Sequence, residues 1–208
     1  MNEKGIPHAM QVYYYEASAL CHPGNPPGQS VTLDNHHRTA WQLFSGDAHY
    51  PQQERPFVFR AQALTKTQHL FIIRSAVPFP HAEKRVLSLT PGTTLALEWH
   101  WVPTVATRLS PSGERLPRSQ HTLAPRERWE HLVAERMQRQ GWALAPESLC
   151  FYPQGRWPLK HSSTQHTVVS VRAQATVVDA TLAAAAWLQG VSRLRAYGMG
   201  MLCACPSA

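Results

Sequence analysis

Two stretches of this chain combine residue types that could do chemistry. In residues 32–44, TLDNHHRTAWQLF, His36, His37 and Arg38 stand in consecutive positions. Histidine changes charge near neutral pH and serves as base or acid, and an adjacent arginine can neutralise a developing anion. In residues 189–206, QGVSRLRAYGMGMLCACP, Arg193 and Arg195 precede Gly198-Met199-Gly200. Glycines let the backbone approach a phosphate closely, and the arginines supply charge. Each stretch also has a packing reading. A Gly-x-Gly before an apolar run can mark only a bulge. His37 shares a helix face with Leu33, Ala40, Trp41 and Phe44, as a core histidine would, and Asp34 suits a helix cap better than a base. His36 lies about 100° around the helix from His37, so it is a second candidate rather than a partner on the same face.

Composition narrows the setting. The chain has 208 residues, 43% hydrophobic and 16% charged, enough for one large domain or two small ones with buried cores. No apolar run is long enough to span a membrane, and the first 18 residues lack the layout of a secretory signal. Cys21, Cys150, Cys203 and Cys205 form no CxxC pair. That argues against a disulfide scaffold or zinc module and for a reducing cytoplasm. The net charge of +7 is uneven: residues 1–100 carry 8 Lys+Arg against 7 Asp+Glu, and residues 101–208 carry 12 against 6. Arginine supplies most of the second half, and its planar fork suits phosphate oxygens. This reads as a nucleic-acid surface built mainly on one domain, against the plainer reading of a basic soluble protein.

The elements that would position these residues follow from pattern. Residues 10–20 read as a strand, 32–44 as a helix, and 56–64 and 69–75 as two strands. A weak helix or short strand follows, then residues 93–102 as the last long strand of the first half. In the second half, residues 108–121 read as a mobile basic segment and 125–140 as a helix. Strands at 149–152 and 167–178 flank a 153–166 loop, residues 181–189 form a short helix, and residues 196–205 close as a strand. The order β-α-β-β-x-β, used twice, predicts an α+β fold of tandem ferredoxin-like (RRM-like) βαββαβ domains over 1–105 and 106–208. The tryptophans at 99, 101, 129, 142 and 187 are most simply core or interface residues.

With its flanks, the glycine-rich stretch resembles the signature of the CRISPR repeat-associated (RAMP) proteins, and within them the CasE-type precursor-CRISPR-RNA endoribonucleases. The corresponding residues are Gln189-Gly190-Val191, then Arg193 and Arg195, then Gly198-Met199-Gly200. Near the other end, the family's histidine, tryptophan four residues on, and Leu-Phe turn match His37, Trp41, Leu43-Phe44 and Ser45-Gly46. Arg55-Pro56-Phe57-Val58-Phe59-Arg60 matches the strand that follows. The chain departs from the pattern at Ser192, where the family often has glycine, and at Asp34, where it has a tyrosine three residues before the histidine. Tyr13, Tyr14 and Tyr15 are the candidates to replace that tyrosine from the adjoining strand.

The resemblance implies a metal-independent endoribonuclease that cuts a CRISPR repeat at the 3′ base of its stem-loop, leaving a 2′,3′-cyclic phosphate. It also implies retention of the crRNA hairpin as one subunit of a prokaryotic effector complex, of type I-E or type IV, with other effector subunits as partners and no membrane. His37 would be the catalytic residue, with Arg38 and His36 as further candidates. Arg108, Arg115, Arg118, Arg156, Lys160, His161, Arg193, Arg195, Gly198 and Gly200 would bind RNA. The alternatives are a subunit that holds the hairpin without cutting it, and an unrelated tandem ferredoxin-like protein.

Overall fold

A computed structural model describes residues 9–24, 31–46, 55–109, 112–159 and 165–205. Lys160 and His161 lie outside the described residues. In chain order the elements are β1 (Met10–Cys21), α1 (Leu33–Ser45), β2 (Phe57–Ala63), β3 (His69–Ser75), β4 (Glu83–Leu89), β5 (Thr94–Trp101), β6 (Thr104–Leu109) and β7 (Arg115–Leu123). There follow α2 (Trp129–Gln138), β8 (Trp142–Leu144), β9 (Cys150–Pro158), β10 (Gln165–Val177), α3 (Ala180–Gln189) and β11 (Cys203–Ala204).

Three antiparallel sheets result. The first runs β2-β3-β1-β4, the second runs β11-β5-β10-β8, with β9 also paired to β10, and β6-β7 form a separate two-stranded ribbon. The 93–102 strand therefore does not close the first half. It is β5, paired with β10 from Thr94↔Thr176 to Trp101↔Val169. Its place in the first sheet is taken by β4, which pairs along β1. The change of sheet thus falls between Leu89 and Thr94, ahead of the expected division near residue 105. Burial explains the choice: Leu97, Trp99 and Trp101 join Trp142, Val171, Ala173 and Trp187 in the largest core cluster. Buried indoles of this size outweigh nearness in sequence.

Other expectations are corrected at their edges. Residues 108–121 belong largely to the β6-β7 ribbon rather than a mobile segment, because Thr104–Leu109 finds a cross-strand partner in Arg115–Leu123. Strand β9 extends to Pro158, so the connection to β10 is shorter than the expected 153–166 loop. Only Cys203–Ala204 of the closing segment is strand; a 3-10 turn at Arg195–Tyr197 and two left-handed glycines precede it. Helix α2 begins at Trp129 after a 3-10 turn, not at Pro125.

The first sheet has α1 on one face, where Trp41, Phe57, Phe59, Phe71 and Ile73 form a core of their own. Its other face meets α3 and the second sheet. There Arg74 lies 3.8 Å over the Trp187 ring, donates to the Trp187 and Leu202 carbonyls and pairs with Glu16 at 2.6 Å. Arg60 of β2 reaches Glu98 of β5, which also accepts from Ser170 and Arg172. Burial alone would raise the Glu98 carboxyl, but these hydrogen bonds and the Arg60 charge draw it down to about 2. Two buried guanidiniums thus clamp the sheets together. No helix among the described residues is long and apolar enough to cross a membrane.

Candidate active site

Local sequence sets the rotation of α1. The Thr32 hydroxyl accepts from the Asn35 N–H at 3.2 Å, and the Asn35 side-chain oxygen accepts from the Thr32 N–H at 3.0 Å, a reciprocal capping box. Thr32, not Asp34, is the cap; Asp34 sits in the first turn, where a carboxylate favours the helix dipole. Trp41 packs edge-on against Phe57 at 4.9 Å and Phe44 stacks on it at 4.7 Å. With those rings anchored, His36 turns into the protein and His37 is left half-buried at the rim.

His37 donates from Nδ1 to the Ala196 carbonyl at 2.7 Å. A carbonyl only accepts, so the proton of the neutral ring sits on Nδ1 and Nε2 keeps its lone pair. That is the tautomer a general base needs. The next carbonyl back, that of Arg195, accepts from Arg55. Arg55 lies over the Phe57 and Phe59 rings at 5.4 and 5.7 Å. Burial and the neighbouring Arg195 charge lower its pKa to about 10. Two guanidiniums and an imidazole therefore converge on one turn, and an anion would relieve the crowding of like charge. Tyr197, the residue after Ala196, has its ring 6.0 Å from that of His37. Burial, with the Asp34 charge, raises its phenol above the ordinary range.

The glycines shape this turn. A Cβ at Gly198, where φ is +86°, would lie 2.8 Å from the Phe59 ring; one at Gly200, where φ is +82°, would lie 2.3 Å from the Ser192 nitrogen. Both amides are used within the protein, Gly198 to the Arg195 carbonyl and Gly200 to that of His100. Both glycines thus allow close packing of the turn on Phe59 and Ser192.

His36 lies deeper than His37. It is 1% exposed, bonded Nε2 to His69 Nδ1 at 2.9 Å, with the Trp157 ring 4.7 Å away. Burial, with His69 and His100 beside it, lowers its pKa to about 3. It stays neutral, in contact with His69 and Trp157. Trp157 is likewise part of β9, its indole N–H donating to the Gln154 carbonyl at 3.0 Å. Tyr14 is buried against Trp187 and Arg74, and Tyr13 lies by Lys84, so neither joins His37.

The remaining candidates are spread over a surface. Arg38, Arg193 and Arg195 are exposed, and Arg193 bonds to His121 of the ribbon. Arg108, Arg115 and Arg118 all stand exposed on that ribbon. Arg156 is exposed on β9, beside a cavity of about 680 Å³ that Lys66, His36 and His69 also line. Among the described residues, no three His, Cys, Asp or Glu side chains group as metal ligands.

This arrangement was compared with known proteins. Neither a family model nor a curated protein matches the chain. Solved structures do. The CRISPR endoribonuclease Cse3 bound to a 19-nucleotide RNA superposes with a TM-score of 0.65 at 17% identity, covering 94% of this chain and 100% of its own. The Cas6e protein of Escherichia coli K-12 gives 0.64 at 17% identity, over 94% of this chain and 100% of its own. The chain has the Cas6e fold. A chain of a CRISPR RNA-guided surveillance complex has it too, with a TM-score of 0.57 at 20% identity, over 90% of this chain and 97% of its own. At these identities the likeness covers the α+β fold, and what the Cas6e fold does in this chain rests on its side chains.

Two residues of the site were missed in sequence. Arg55 precedes a strand in a polar stretch, and Tyr197 sits inside the quoted Ala-Tyr-Gly segment. The signal available for Tyr197 was an aromatic immediately before Gly198; for Arg55 it was only its place at the head of the matched Arg55–Arg60 stretch, and its contact is with a carbonyl 140 positions away.

Proposed function

We propose that this chain is a metal-independent endoribonuclease that cuts CRISPR precursor RNA at the 3′ base of the repeat stem-loop. The observation that carries this reading is the His37–Ala196 hydrogen bond, which leaves Nε2 with its lone pair at a turn whose preceding carbonyl, that of Arg195, is held by Arg55. RNA brings its own nucleophile, so the site has to deprotonate a 2′-hydroxyl, bind the phosphate and release the 5′-oxygen. His37 is the base, worth about a hundred- to ten-thousand-fold in rate. Arg55 and Arg195 stabilise the charge that grows on phosphorus, with Arg38 exposed nearby on α1. The products are a 2′,3′-cyclic phosphate and a 5′-hydroxyl end.

The two main sheets are read as tandem ferredoxin-like units. Strand order β2-β3-β1-β4 supports the first, and β11-β5-β10-β8/β9 supports the second, with the ribbon inserted after its first strand. Arg108, Arg115, Arg118, Arg156 and Arg193 engage phosphates of the hairpin, with Lys160 and His161 on the β9-β10 connection. A-form RNA hides its base edges in a deep major groove, so shape and phosphates dominate recognition. Retention in an effector complex is supported by the likeness to a chain of the surveillance complex. Asp34 in the place of a tyrosine favours one rival, a subunit that holds the hairpin uncut. End-labelled repeat RNA from the encoding genome, incubated with the protein and excess EDTA, decides between them. A single cut ending in a cyclic phosphate supports the nuclease; tight binding with intact RNA supports the holder.

A further inference from the structure

We propose that Tyr197 is the general acid of this site, giving its phenol proton to the departing 5′-oxygen. The inference rests on the ribonuclease reading and adds a residue to it. With Nδ1 bonded to Ala196, the neutral His37 is arranged as a base, which leaves the second proton transfer without a donor. Tyr197 follows Ala196 directly, so the hydrogen bond that orients the imidazole also fixes where the phenol begins. Its backbone N–H is bonded to the Leu194 carbonyl at 2.9 Å, and its ring packs against the Leu33, Val102, Val168 and Met199 cluster. Buried Gly198 closes the turn against Phe59. The ring is thus held on both sides, 6.0 Å from His37. A phenol is protonated at neutral pH, as a donor must be, and burial, with the Asp34 charge, raises its pKa further.

The step balances. The O2′–H proton passes to His37 Nε2 as O2′ bonds to phosphorus. The P–O5′ bond breaks with its electron pair on O5′, which takes the Tyr197 proton. The imidazolium then returns a proton to the tyrosinate, and both residues are reset.

The test is single-turnover cleavage of two RNAs from the same repeat, one natural and one with sulfur replacing the scissile 5′-oxygen. A thiolate leaves without a proton. Tyr197→Phe should cut the natural RNA about a hundredfold or more slowly, cut the sulfur RNA at the wild-type rate, and bind both unchanged. His37→Ala should be slow on both. A Tyr197→Phe protein that cuts natural RNA at full rate, or is equally slow on both RNAs, overturns the assignment while the ribonuclease stands. Wild-type protein that cuts neither RNA overturns both.

Discussion

His37 and Ala196 are joined by a 2.7 Å hydrogen bond across 159 positions of sequence. The bond ties the first helix to the glycine-rich turn and selects the imidazole tautomer in one contact. Which ring nitrogen keeps its lone pair is chosen by a backbone oxygen, and substituting the turn should disturb it as surely as substituting the histidine.

His37→Ala should slow repeat cleavage by about a hundred- to ten-thousand-fold while leaving RNA affinity near wild type. His36→Ala should behave differently, lowering the melting temperature because it opens space beside His69 and Trp157. Cleavage rates and melting curves on both variants separate the roles. Equal loss of activity with equal stability would count against them.

Gly200→Ala should be more damaging than Gly198→Ala. Both force a side chain into left-handed backbone, a strain of about 1–3 kcal/mol. At Gly200 the new carbon meets Ser192 main chain at 2.3 Å, and at Gly198 it meets a phenyl ring that can tilt. Chemical denaturation should rank them in that order.

Arg60→Ala should cost about 3 kcal/mol, since it leaves the Glu98 carboxylate at the junction of the sheets without its Arg60 partner. Arg85→Ala, which removes a half-exposed pair with Glu16 and Glu83, should cost about 1 kcal/mol at most. Denaturant midpoints compared at equal slope give the difference.

Acid should weaken the fold well before carboxylates titrate. His36 and His100 are held neutral, each with its pKa lowered by burial from 6.5 to about 3. The unfolded chain takes up these protons below pH 6.5 and the folded chain does not, so the stability they confer is full above 6.5 and lost as pH falls towards 3. Glu98 adds a loss of the same sign lower still, between its ordinary 4.5 and about 2. Melting temperature against pH should fall through this window. Among the described residues, neither His100 ring nitrogen has a hydrogen-bond partner, so His100→Phe should flatten the fall; an unchanged slope would refute its share.

Removing Arg115 or Arg118 should weaken hairpin binding regardless of loop sequence and reduce the salt dependence of affinity by about one ion each. Filter binding over a salt series reads this directly. A slope identical to wild type would place the RNA elsewhere.

Much of this was legible in the chain. Residues 69–75 were expected as a strand and are one, because alternation and bounding turns fix a strand locally. The helix bearing His37 and its glycine stop were equally plain. What pattern does not state is partnership. Residues 93–102 alternate as any strand does, and only the indoles of Trp99 and Trp142 decide which sheet receives them. His36 and His37 look alike in sequence, yet one turns inward against Trp157 and the other meets a carbonyl at the rim. Gly198 and Gly200 satisfy a phosphate-binding pattern and serve packing. Arg55 and Tyr197 join the site through contacts that no periodicity connects.

The order of synthesis gives the His37–Ala196 contact another meaning. A ribosome releases the imidazole long before it makes the carbonyl that aims it. Until that late segment docks, the growing chain holds a histidine with no chosen tautomer. A site assembled this way is completed only once the glycine-rich turn is made, and a protein cut short upstream of Ala196 never completes it.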